Sequence, residues 1–153
     1  MQKIAFLCVG KLKESWAREA AAFYADRLNH VIKLEIVELP ASKETDPERQ
    51  RSEESKRLLD AARKIDGDMW VLDEKGKAMT SPAFAKAIEQ AQDDGRTIIF
   101  LLGGAYGLID EVRSAGKLLK LSDMTLPHEL CRVFFLEQLY RAIEINRGSG
   151  YHH

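Results

Sequence analysis

The chain has few of the features that mark membrane, secreted or metal-binding proteins. Its longest clean apolar runs, residues 4–9 and 97–102, fall far short of the roughly 20 residues that cross a bilayer. Its first residues do not follow the signal-peptide pattern. The two cysteines, Cys8 and Cys131, form no CxxC pair, and neither lies near a plausible set of metal-ligating histidines. The sequence therefore predicts a cytoplasmic protein with reduced thiols, no metal and no membrane partner.

The chain also lacks an excess of charge of either sign. It has 23 basic and 24 acidic residues, which gives a formal net charge of -1. The composition therefore shows no sign of a globally basic, nucleic-acid-binding surface. At 153 residues and 45% hydrophobic content, the chain has the size and apolar content of one domain with one substantial core.

Strand-like and helix-like patterns alternate along the whole sequence. This order is typical of an α/β fold with a mostly parallel sheet and helices on both faces. The predicted strands are residues 3–9, 33–39, 69–73, 97–102 and 117–121, and the predicted helices are residues 15–28, 47–64, 81–92, 109–115 and 130–146. We expect a single domain over residues 1–153.

A glycine turn, Leu102-Gly103-Gly104-Ala105-Tyr106-Gly107, follows the most apolar predicted strand. Ligands of open α/β sheets bind at such strand ends, and glycines let them approach the backbone closely. The spacing is GGxxG rather than GxGxxG, and the turn follows the fourth strand instead of the first, which argues against a dinucleotide site. A site for another cofactor and a plain tight turn both remain open.

Three further segments contain candidate functional residues. Residues 121–128 begin at the end of a predicted strand and include Pro127, which can open the next helix. Their backbone N–H and C=O groups lie outside a regular sheet ladder and can bind a ligand. The alternative is that Ser122, Asp123 or Thr125 only caps a helix. At the head of the last predicted helix, His128 and Arg132 are separated by the length of one helical turn, and Glu137 and Arg141 repeat that spacing further on. For Glu137, an ordinary surface ion pair is the favoured interpretation. The terminal Tyr151-His152-His153 follows a Gly148-Ser149-Gly150 hinge, where chains usually fray.

Taken together, these segments resemble one family. The matching residues are Leu101-Leu102-Gly103-Gly104-x-x-Gly107-Leu108, Leu121-Ser122-x-Met124-Thr125-Leu126-Pro127-His128, Arg132-Val133, Glu137-Gln138-Leu139-Tyr140-Arg141-Ala142 and Tyr151-His152. They are similar to the ribosomal RNA large subunit methyltransferase H family of the SPOUT superfamily. The resemblance spans the chain and implies methylation of N3 of a pseudouridine in 23S rRNA of the assembled 70S ribosome.

The resemblance also implies a fold and a cofactor site. SPOUT members form an α/β knot, in which the C-terminal segment threads a loop as a deep trefoil knot, and they work as homodimers with each active site completed by the partner chain. The methyl donor is S-adenosylmethionine. By residue-to-residue match, it is expected to contact Leu72, Gly103, Gly104, Leu121, Ser122, Asp123, Met124, Thr125 and Leu126.

Catalytic roles follow from the same match. N3 of pseudouridine becomes a good nucleophile only as its proton leaves, so we expect His152 or His128 to accept that proton. Arg132 and Arg141 would stabilise the developing charge, and Tyr151 would orient the base. The chain departs from the common family pattern at Ala105-Tyr106 in the glycine turn and at His153, where Lys or Arg is frequent.

Two other functions remain as alternatives. One is a nicotinamide- or flavin-dependent α/β enzyme, which the late glycine turn argues against. The other is a ribosome-associated binding protein of the same fold without catalytic activity. Binding of S-adenosylmethionine compared with NADH separates the first from a methyltransferase, and labelled methyl transfer to ribosomes separates the second.

Overall fold

Five strands alternate with five helices in the computed structural model, which covers residues 1–153. The strands are β1 (Lys3–Val9), β2 (Lys33–Leu39), β3 (Asp68–Ala78), β4 (Ile98–Leu102) and β5 (Lys117–Lys120). The helices are α1 (Ser15–Leu28), α2 (Pro47–Arg63), α3 (Ser81–Asp93), α4 (Asp110–Arg113) and α5 (His128–Arg147). All strand pairs are parallel, in the order β2-β1-β4-β3-β5. The predicted α/β fold is confirmed.

The sheet is buried on both faces because β4 is apolar at every position and its neighbour β1 at every position after Lys3. Ile4, Phe6 and Cys8 point to one face, where they pack with α1, α3 and α5. Ala5 and Leu7 point to the other face, where they pack with α2 and α4. This alternation follows from the two-residue period of a strand. The predicted helices on both faces are therefore confirmed.

Three predicted boundaries differ from those observed by two residues or more. β3 continues to Ala78 instead of ending at Asp73, because residues 77 and 78 pair again with β5 after a break. α4 is a single turn, Asp110–Arg113. α5 begins at His128, directly after Pro127, two residues before the predicted start. The last difference matters most, because it places His128 at the first position of the helix.

The parallel arrangement brings the carboxyl ends of the strands to one edge. Residues that follow β1, β3, β4 and β5 therefore meet on the same side of the sheet. No helix of the structure is both long enough and apolar enough to span a membrane.

Candidate functional site

Two adjoining cavities open at the carboxyl edge of the sheet. The first, about 530 Å³, lies between the end of β3 and residues 120–126. The second, about 410 Å³, is bordered by the glycine turn and the start of α5. Leu72, Leu126 and Cys131 line both. All nine residues predicted to contact a cofactor line one or both cavities: Leu72, Gly103, Gly104, Leu121, Ser122, Asp123, Met124, Thr125 and Leu126.

Residues 122–126 form a loop with unused backbone hydrogen-bonding groups. No backbone-to-backbone hydrogen bond involves any of them, and the Met124 N–H donates to Ser122 Oγ at 3.0 Å. The remaining N–H and C=O groups are available to a ligand with its own donors and acceptors, such as the edge of an adenine. The loop therefore fits the backbone-reading role expected of it.

The glycine turn is closely packed against its surroundings. A Cβ on Gly103 would lie 2.8 Å from Leu108 Cδ2, and a Cβ on Gly104 would overlap Glu54 Oε1. Gly107 adopts a positive φ of 79° and donates to the Gly104 carbonyl at 3.0 Å. Glycine at these three positions is thus required by space and by backbone conformation.

Sequence reasoning missed Glu54, which lies beneath this turn. It is 2% exposed, and its Oε2 accepts from the Ser42 N–H at 2.9 Å while its Oε1 has no partner. A spacing signal was present: Glu54 and Ser55 precede Leu58 and Leu59 by one turn, so they share the buried face of α2.

A second missed pair lines the glycine-turn cavity. The Asp73 side chain, 5% exposed, accepts from Arg113 Nε at 2.9 Å. Asp73 stands at the end of the core part of β3, and Arg113 ends the single turn of α4. The pair therefore fixes the chain after the glycine turn to the strand beside it.

His128 and Arg132 begin α5 but have different surroundings. His128 lines the glycine-turn cavity, and burial together with the positive charge of Arg132 lowers its pKa. Its imidazole is therefore neutral near pH 7 and able to accept a proton. Arg132 is 2% exposed; it donates to Glu38 at 2.6 Å and to the carbonyls of Val9 and Gly10 at 3.1 and 2.9 Å.

These contacts anchor the start of α5 to the ends of β1 and β2. Arg132 does not line either cavity. The geometry therefore favours a positioning role for Arg132, which keeps His128 at the cavity wall. Its expected direct role in charge stabilisation stays a prediction.

The terminal residues pack on the second half of α5. Tyr151 donates its phenol hydrogen to Glu137 at 2.7 Å, and its ring meets that of Tyr140 edge-on with centroids 4.9 Å apart. Arg141 donates to both Glu137 oxygens, at 3.2 and 3.0 Å, and lies 3.1 Å from His152 Nδ1. The predicted ion pair of Glu137 with Arg141 is confirmed, but it is half-buried instead of exposed at the surface, and the carboxylate also accepts from Tyr151.

The Arg141 contact determines how His152 presents its ring. Arginine is always a donor, so Nδ1 of His152 is the acceptor and the neutral ring has its hydrogen on Nε2. Burial and the Glu137 carboxylate raise the pKa of Tyr151, which keeps its phenol protonated. The tail therefore presents an imidazole N–H and a guanidinium side by side.

One chain does not bring the two groups of candidate catalytic residues together. His128 and Arg141 are 13 positions apart on α5, which corresponds to about 20 Å along a helix axis. Tyr151 and His152 are held near Arg141 and do not line either cavity. Glu137, Arg141, Tyr151 and His152 form a tail cluster. The two cavities and this tail cluster are therefore separate within a single chain.

Comparisons with known proteins show the family of this chain. A family model described as a predicted SPOUT methyltransferase matches residues 2–152. A protein from Maridesulfovibrio salexigens named Ribosomal RNA large subunit methyltransferase H is 45% identical, with 100% of this chain and 99% of the relative covered. Proteins of the same name are 42% identical in Geobacter sp. strain M21, with 99% of each covered, and 37% identical in Christiangramia forsetii, with 98% of each covered.

A solved structure supports the fold alone. The structure of a probable methylase family protein from Haemophilus influenzae Rd KW20 matches with a TM-score of 0.54 at 10% identity, covering 95% of this chain and 69% of that one.

A parallel sheet with cavities at the carboxyl ends of its strands is typical of α/β proteins that bind ligands at that edge. The family match specifies this class further: the chain belongs to the SPOUT methyltransferase family and is a methyltransferase.

Proposed function

We propose that this protein uses S-adenosylmethionine to methylate N3 of a pseudouridine in 23S rRNA of the assembled ribosome. The observation that supports this most is that the nine residues assigned to the cofactor by the resemblance surround two adjoining cavities. The names of the full-length relatives point to ribosomal RNA of the large subunit as the substrate. The finer choice of pseudouridine N3 rests on the motif resemblance.

The cavity lining fits this cofactor. S-adenosylmethionine, when bound, supplies a methyl group on a positively charged sulfur. The free backbone groups of residues 122–126 suit an adenine edge, and Gly103 and Gly104 let a ligand lie close to the backbone. The transfer is an in-line displacement, so positioning by these residues supplies much of the rate.

The chain's own polar residues divide the proton chemistry between them. His128, neutral at the cavity wall, accepts the N3 proton as N3 forms its bond to the methyl carbon. The negative charge that develops on the flanking oxygens is met by the Nε2–H of His152 and by Arg141. Tyr151 holds Glu137 and thereby keeps Arg141 in place.

A homodimer would bring these groups together. Trp16 and Phe23, 49% and 47% exposed, lie on one face of α1. Phe23 meets Tyr24, Tyr24 meets Tyr140, and Tyr140 meets Tyr151, with centroids 4.9 to 5.9 Å apart. This aromatic surface is continuous with the tail cluster, so a second copy docked on it lies beside His152. The tail then completes the partner's cavity.

The trefoil knot and the cytoplasmic location stay predictions of the resemblance and of the sequence. The choice of the 70S ribosome as substrate, rather than free RNA or separate subunits, is likewise a prediction of the resemblance. A ribosome-associated protein without catalytic activity would share this fold, and only transfer of the methyl group excludes it.

Labelled methyl transfer is the experiment that tests this function. We expect transfer from S-adenosylmethionine to 70S ribosomes, with the label on N3 of one pseudouridine of 23S rRNA, and much less transfer to protein-free RNA. Calorimetry should show binding of S-adenosylmethionine and none of NADH. No transfer to ribosomes, subunits or RNA refutes the enzyme, and binding of NADH alone favours the oxidoreductase.

A further inference from the structure

A basic groove lies beside the cofactor cavity, between the end of β3 and the start of β5. This lysine groove has a volume of about 500 Å³ and is lined by Lys75, Gly76, Lys77, Ala78, Met79, Lys117 and Leu118. Its three lysines are exposed, none of them forms an ion pair, and no carboxylate lines the groove. On a chain with a net charge of -1, this is a local concentration of unpaired positive charge.

The groove exists because β3 leaves the sheet and returns. Its pairing with β5 stops at Leu72 and resumes at Lys77, so the residues between them bulge from the ladder. Gly76 packs directly on β5, since a Cβ there would lie 2.8 Å from the Leu119 nitrogen. Asp73 accepts from the Lys75 N–H at 2.9 Å. These contacts hold the bulge against β5 with Lys75 and Lys77 on either side of Gly76.

The third lysine has its own support. The Nζ of Lys117 lies 4.5 Å from the ring centroid of Trp70, a cation–π contact that orients the side chain at the rim of the groove. Trp70 is 7% exposed and belongs to the core. Lys117 is therefore better ordered than an ordinary surface lysine.

The groove adjoins the cofactor cavity. Lys75 lines both, so a nucleic-acid strand in the groove lies next to the cavity. Lysine ammonium groups act as compact point charges that attract phosphate without reading a base. The shape and charge of the groove fit a nucleic-acid backbone.

We propose that the lysine groove binds the phosphate backbone of the RNA strand that presents the target nucleotide. The proposal rests on the proposed function for the identity of that strand. It explains how a chain with balanced overall charge contacts RNA, because the basic residues are concentrated beside the site. Base recognition is left to the cavity, and the groove fixes the position of the strand.

Binding of 70S ribosomes at several salt concentrations tests the groove independently of catalysis. Replacing Lys77 and Lys117, which do not line the cofactor cavities, together with glutamine should weaken binding about tenfold at low salt and reduce the slope of log Kd against log salt by about 1.5, since two phosphate contacts are lost. Replacing both with arginine should restore the affinity and the slope. Affinity for S-adenosylmethionine should stay within about twofold in all variants.

A matched control removes the same charge elsewhere. Lys33 at the start of β2 and Lys86 in α3 are exposed and form no ion pair, so the Lys33→Gln/Lys86→Gln protein should bind ribosomes with the wild-type slope. Equal salt slopes for the groove variant, the control and the wild type overturn the proposal, as does a wild-type protein that binds no ribosomes. A wild-type protein that binds through the groove but transfers no methyl group supports the groove and refutes the proposed enzyme.

Discussion

Replacing His152 with alanine is expected to reduce methyl transfer to ribosomes by at least about 100-fold, the usual effect of losing one donor to a developing oxyanion. Affinity for S-adenosylmethionine should change no more than a few-fold, because the tail does not line the cofactor cavities. Single-turnover transfer and calorimetry, measured on the same protein, separate the two effects.

Two further variants make this result specific. His153→Ala changes an exposed neighbour and should retain nearly full activity. His152→Asn keeps an N–H donor but provides no proton acceptor, so it should be clearly more active than His152→Ala if the ring donates from Nε2. Equal inactivity of the two variants would instead assign proton acceptance to His152, and full activity of the alanine variant would remove His152 from the site.

Replacing Gly104 with alanine is expected to weaken binding of S-adenosylmethionine about 10- to 100-fold. The new Cβ overlaps Oε1 of the buried Glu54, so the turn or the Glu54 carboxylate must shift at the cavity wall; overpacking of this kind costs about 1–3 kcal/mol. Calorimetric titration measures the loss directly. Thermal melting checks that the protein remains folded, as the turn lies at the edge of the sheet.

A second substitution tests the cause of this loss. Glu54→Asp withdraws the carboxylate by one methylene, so Gly104→Ala/Glu54→Asp should bind the cofactor more tightly than Gly104→Ala alone. Additive losses would show that steric overlap with Glu54 does not determine the effect.

Local pattern predicted much of this fold because each element has a clear period. β4 is apolar at every position and β1 at every position after Lys3, so both sequences are typical of central strands buried on both faces. Pro47 and Ser81-Pro82 mark helix starts that the structure confirms, with Asp46 and Thr80 accepting from the Arg49 and Ala83 N–H groups. These signals are contained within a few residues.

Features that depend on distant contacts were not predictable in the same way. The return of β3 to β5 after Leu72 needs Gly76 to lie against a strand more than 40 residues further along the chain. The sequence predicts that Arg132 stabilises developing charge, whereas in the structure its guanidinium holds α5 to Val9, Gly10 and Glu38. The burial of Glu54 beneath Gly104 is a contact of this kind too. Sequence spacing shows which face a residue occupies but not what covers it.

The candidate site, like the fold, was predictable from the sequence only in part. The resemblance supplied the residues that line the cavities, while composition and periodicity alone left the glycine turn open to other interpretations. His128 and Arg141 are far apart because α5 is one uninterrupted helix that begins at His128 and continues past Arg141. That separation is the physical reason for proposing a site shared between two copies.

Complementation between two impaired chains, assayed at an S-adenosylmethionine concentration that fills the wild-type cavity but not that of Gly104→Ala, tests the shared site most directly. Gly104→Ala damages the cofactor cavity but leaves the tail intact, and His152→Ala does the reverse. A purified heterodimer of the two contains one site with both parts intact, so it should recover about half of the wild-type activity per dimer. A heterodimer as impaired as its two parents would contradict the account, since each cavity would then depend on its own tail.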